Sequence, residues 1–163
     1  MHNREKPRKA AGTYGFADLL RRPSRIFRPA TPSEAQQDIG AVRRGEARMV
    51  SCFLRGDHDP LPRRLTQGTL QLSATRTSWT RFWSLRRTPI AIPSDVLAIS
   101  TRSADYREPN VKKGGKAFGV LPVPAFVVVT CNTTSGSMDL VVPAADVPLV
   151  TSYFRDHMRS VPD

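Results

Sequence analysis

The chain has 163 residues, 39% of them apolar, 14 prolines and a formal net charge of +11 with a pI near 10.8. That length favours one domain with some chain to spare, and the low apolar and high proline content argues that part of the molecule lies outside any core. The longest apolar run, Ala117–Cys131, is shorter than the ~20 residues a spanning helix needs and contains Pro122 and Pro124, so no transmembrane segment is expected.

The charge is uneven along the chain. Residues 1–47 hold 10 basic and 5 acidic side chains, residues 48–116 hold 13 and 5, and residues 117–163 hold 2 and 4. A molecule basic at one end and slightly acidic at the other has a directional field that favours nucleic acid, anionic headgroups or acidic protein. The excess of Arg over Lys, 20 against 5, also fits a high-GC genome, where basic proteins without an anionic ligand are common.

Residues 1–46 read as a basic, largely disordered tail. Met1–Gly12 is charged and polar, Pro23, Pro29 and Pro32 break longer elements, and Thr31–Gly45 lacks apolar residues able to anchor a core. Residues 14–22 can form two turns of helix ending at Pro23. There Phe16 and Leu20 precede Arg21 and Arg22, and Arg25 and Phe27 follow. Such a mixture suits docking on an anionic membrane or in a partner's groove, and it suits packing against the chain's own domain equally well.

The globular part is expected over residues 47–160. Arg48–Leu54 reads as a first strand, and Gly68–Ser73 alternates apolar and polar residues with period two. Ser78–Trp83, Thr88–Ile92 and Asp95–Ser100 follow as strands, with Pro93 between the last two. Residues 102–119, holding Gly114-Gly115, read as a long loop. Val120–Cys131, a polar turn at Asn132–Gly136, and Ser137–Val142 then form a closing hairpin. A helix from about Val147 to Arg159 ends the domain. Asp146 is its expected N-cap, Pro148 stands in the first turn, and Val150, Tyr153 and Phe154 form the apolar stripe. Cys52 and Cys131 fall in strands and read as buried reduced thiols.

Strands followed by one closing helix give a mainly β fold class, a small antiparallel β-barrel of about seven strands capped by one C-terminal α-helix. Gly68-Thr-Leu-Gln-Leu-Ser73, Ser78-Trp-Thr-Arg-Phe-Trp-Ser-Leu85 and Pro89–Ser103 together resemble an actinobacterial family of pleckstrin-homology-like (PH-like) domains of unknown function. The closing Val-Leu-Pro-Val-Pro-Ala-Phe-Val-Val-Val and Leu-Val-Val-Pro-Ala-Ala-Asp-Val-Pro stretches resemble it too. The likeness covers about residues 48–158. It implies a ligand site at the open end, in the loop between the first two barrel strands, and it carries no catalytic residues. Members of that family often have an N-terminal membrane helix, which these residues do not provide, so anchoring is not carried over.

That loop holds Arg55, Arg63 and Arg64, whose guanidinium forks suit a phosphate, although Asp57 and Asp59 stand among them. Lys112, Lys113 and Lys116 flank the Gly114-Gly115 pair and form a second anion-binding candidate. Without the fixed glycine spacing and a following Ser or Thr they are not a P-loop. Asp57-His58-Asp59 lacks further ligands, so no metal is expected, and no cofactor is implied. Trp79, Phe82 and Trp83 among Arg81, Arg86 and Arg87 can stack on single-stranded nucleic acid or fill a core. No nucleophile–base pair stands out. The reading is a cytoplasmic, non-enzymatic interaction module for a protein or peptide partner or an anionic membrane surface, peripheral at the inner face of the membrane in the latter case. Nucleic-acid binding through the basic tail and loops is the alternative.

Overall fold

A computed structural model describes residues 7–13, 31–82, 88–93, 95–104 and 126–158. In chain order its elements are β1 (Arg8–Lys9), α1 (Pro32–Arg43), β2 (Arg48–Gly56), β3 (Thr66–Leu72), β4 (Ser78–Arg81), β5 (Ile90–Ala91), β6 (Val96–Ser103), β7 (Phe126–Thr133) and β8 (Gly136–Pro143). A 3-10 turn, Ala144–Asp146, leads into α2 (Val147–Asp156).

The strands form one sheet in the order β5-β4-β3-β2-β8-β7-β6, antiparallel along that path. The last strand therefore returns to the first long one, with Phe53 opposite Val141 and Arg55 opposite Asp139. β8 reaches only the C-terminal half of β2. Beside the N-terminal half lies β1, in parallel, with Arg8 opposite Arg48 and Lys9 opposite Met49.

Period-two alternation fixes which side chains enter the core. Val50, Cys52 and Leu54 of β2, Leu70 and Leu72 of β3, and Met138, Leu140 and Val142 of β8 point to one face and are buried there. Trp79 of β4 joins them at 1% exposure, which makes it a core side chain and not a stacking platform. Its ring fills the space over Gly68, where a Cβ would collide with the indole. The opposite face carries a smaller cluster around Val128 and Val141, with Phe53 and Phe126 edge-to-face at 6.1 Å. Cys52 and Cys131 are free and buried, and burial pushes both thiols up to about 12.

Helix α2 lies over the core face. Leu149, Val150, Tyr153 and Phe154 are the buried residues at helical spacing, and the helix ends at Asp156, short of the expected Arg159. The expected N-cap is corrected. Asp146 makes no side-chain bond to α2, because its carboxylate turns inward and accepts from Gly12 N at 2.6 Å and Thr13 Oγ1 at 2.8 Å.

Two further expectations change. Residues 31–45 are expected to lack apolar anchors for a core, yet Pro32–Arg43 is a helix that buries Ala35, Ile39, Ala41 and Val42. Its start is a capping box: Glu34 N donates to Thr31 Oγ1 at 3.3 Å, and Thr31 N donates to Glu34 Oε2 at 2.8 Å. Residues 7–13 also belong to the fold, with Ala10 1% exposed within the core cluster. The expected helix at 14–22 lies outside the described residues. The barrel is the second change. Among the described residues β5 and β6 are not paired with one another, so the sheet is not closed into a barrel. Pro89 and Pro93 flank the two-residue β5 and supply no amide hydrogens, so this edge is too short to zip onto β6.

Candidate functional site

The β2–β3 loop can be built residue by residue. Asp57 accepts from Ser137 N at 2.8 Å and Ser137 Oγ at 3.2 Å, which ties the loop to the β7–β8 turn. His58 Nδ1 lies 3.1 Å from Asp57 Oδ1. Those bonds, His58's first, hold the Asp57 carboxyl below its ordinary range. Gly136 permits the approach. Its φ is +143°, and a Cβ there would strike Asp57 and His58.

The three arginines proposed for this loop do not form one clamp. Arg55 is bound across the sheet to Asp139, with Nε at 2.9 Å and Nη2 at 2.7 Å from Oδ2, while Thr130 donates to Oδ1 at 2.7 Å. Arg63 donates to the Asp57 carbonyl and lies 3.6 Å from Asp59. Arg64 is exposed and takes part in neither network. A phosphate would have to displace Asp139 from Arg55 in a partly buried site, where breaking such a pair is costly. The remaining candidates, Lys112, Lys113 and Lys116 and the tail residues Phe16, Leu20, Arg21, Arg22, Arg25 and Phe27, lie outside the described residues.

A more highly organised site surrounds the N-terminal strap, residues 8–13. Ala10 N donates to Met49 O at 2.8 Å, Ala11 N to Asp38 Oδ2 at 2.7 Å and Gly12 N to Asp146 Oδ1 at 2.6 Å. Thr13 Oγ1 donates to Asp146 Oδ2 and accepts from Ser51 N at 3.0 Å. Arg48, 10% exposed, holds Asp38 through Nε at 2.8 Å. Asp146 has no such counter-ion among the described residues, and burial pushes its carboxyl up to about 6 against the two bonds that lower it. Sequence reasoning missed this pair of acids. The separation of 134 positions between Gly12 and Asp146 leaves no local pattern to find.

Between α1 and α2 lies a cleft of about 150 Å³ lined by Ile39, Val42, Leu149, Tyr153 and His157. Arg43 bridges its rim, donating to Asp156 at 2.9 and 3.2 Å and to Ser152 at 3.2 Å. Tyr153 is held from behind by Thr77 at 2.5 Å and Ser73 O at 2.7 Å, and His157 stacks on its ring at 4.2 Å. These bonds fix the packing of α2 against the sheet.

The fourth feature is an edge. β6 is eight residues long, and β7 is its only strand partner among the described residues. Ala104 N donates to Phe126 O at 3.2 Å, so the alternation of an antiparallel ladder aims the amides of Ile99, Thr101 and Ser103 away from β7. No helix among the described residues is long and apolar enough to cross a membrane, and those residues hold no group of His, Cys, Asp and Glu fit for a metal ion. Comparison with known protein families and with curated proteins finds no match to this chain.

Proposed function

We propose that this chain is a non-enzymatic, PH-like interaction module that takes an extended peptide along the outer edge of β6. The single observation that carries the reading is that edge. It spans eight residues, contains no proline, and is mostly exposed from Leu97 to Ser103. Edge strands of that length are normally blunted by proline, charge or cover, and among the described residues β6 carries a bulge between Val96 and Ala98 and a single charged side chain, Arg102. Main-chain pairing would give affinity, and pockets beside alternate residues would give selectivity. The strand order and the closing helix support the PH-like assignment. The surplus of basic residues between 48 and 116 favours an acidic peptide, and the basic tail favours a peripheral station on an anionic cytoplasmic membrane face.

The test uses the full chain and a displayed library of random ten-residue peptides as probe. Selected peptides are measured by fluorescence anisotropy against the wild type and Thr101→Pro, which deletes one outward amide without touching the β6–β7 ladder. A loss of roughly tenfold or more in affinity, the scale of one lost hydrogen bond, is expected. Equal binding by both proteins rejects the edge as the site. A random 20-mer DNA run in parallel, with binding that falls steeply with salt, would instead favour the nucleic-acid reading.

A further inference from the structure

The groove that holds the N-terminal strap has the properties of a recognition site already filled. It runs along the N-terminal half of β2, on the side where β8 has stopped pairing, with Asp38 of α1 on one flank and Asp146 on the other. It reads its occupant closely. Ala10 is 1% exposed, and a Cβ on Gly12 would stand 2.8 Å from the Asp146 carboxylate and 2.9 Å from Ala145 Cβ. A hydroxyl follows at Thr13, shared between Asp146 and Ser51 N. The groove thus selects a small residue at position 10, glycine at 12 and a hydroxyl at 13, entered from a basic side.

We infer that this groove accepts the same segment from a second copy of the chain, so that two copies exchange straps reciprocally. Hydrogen bonds from the strap run to Asp38, Met49, Ser51 and Asp146, and residues 14–30 join it covalently to that groove. These hydrogen bonds, made within one copy, can therefore be made equally between two. What separates the two arrangements is concentration. A tethered segment competes at an effective concentration on the order of millimolar, so at micromolar chain concentration each wild-type copy keeps its own strap.

The decisive experiment removes that competition with two full-length variants. Gly12→Val carries a strap too bulky for any groove but keeps its groove intact. Asp146→Leu keeps its strap but lacks the acceptors for it. Light scattering after size exclusion should find each alone monomeric at micromolar concentration and the mixture heterodimeric, with an apparent dissociation constant at least roughly tenfold below that for wild-type self-association. A mixture that stays monomeric while both variants keep wild-type circular dichroism overturns the inference. Should either variant lose that signal, the wild type is titrated with a peptide of residues 4–13 while the Ser51 amide is followed by NMR. A saturable shift, absent with the Gly-to-Val peptide, supports exchange, and no shift up to about 10 mM, above the tether's effective concentration, overturns it.

Discussion

Replacing Asp146 by Asn tests whether a buried carboxylate sets the pH response of this fold. Asp146 is 1% exposed, and its carboxyl titrates near 6 in the folded chain against 3.8 as the ordinary value. Folded protein therefore holds a proton that unfolded protein has released between those values. The contribution of this group to stability is fully present below 3.8, declines as pH rises, and is lost above about 6. At 1.36 kcal/mol per pH unit the span amounts to about 3 kcal/mol as an upper bound. Asn keeps an acceptor for Gly12 N and a donor for Thr13 Oγ1 but cannot ionise. Urea unfolding of both proteins from pH 4 to pH 7 isolates the effect, since the other carboxylates cancel in the difference. The variant should gain on the wild type by up to about 3 kcal/mol across that range. A flat difference, or one that falls with pH, would refute the assignment of Asp146 as an uncompensated buried charge.

Other substitutions read other parts of the structure. Leu140→Ala, at a fully buried position of β8, should cost about 2–5 kcal/mol in urea unfolding, as large-to-small changes in packed cores do. Thr31→Ala removes one half of the capping box and should cost about 1 kcal/mol, read by the same titration. Cys52 and Cys131, with thiols near 12, are about one part in ten thousand thiolate at pH 8. Ellman's reagent should modify neither in native buffer and both in urea, so rapid native labelling would show the two positions to be accessible.

The strands from β2 onward were legible because each has its own local signature, whereas β1 at Arg8–Lys9 has none. Gly68–Ser73 alternates cleanly, and the β7–β8 hairpin and the stripe of Val150, Tyr153 and Phe154 need only short windows of sequence. Helix α1 was readable in part. Thr31, Pro32 and Glu34 are the signature of a capped helix start, but Ala35, Ile39 and Val42 make a face so narrow that the segment looked coreless. The site was less accessible. Arg55, Arg63 and Arg64 suggested an anion clamp, and what disarms it is Asp139, from a strand 84 residues later. The strap groove draws on Gly12, Asp38, Ser51 and Asp146, four positions with nothing in common until the sheet is folded.

β2 is bordered by the first strand, the next strand and the last. Its partner residue for Phe53 is Val141, so the sheet has a gap until ribosomes have delivered β8. During synthesis the apolar side of β2 and β3 must wait, unshielded by α2, in a nascent polypeptide whose β2 edge still lacks β8. Long-range pairing of this kind slows folding and lengthens that wait, so the burden on holding chaperones falls on the early strands, while a chain cut short before Gly136 would never seal them.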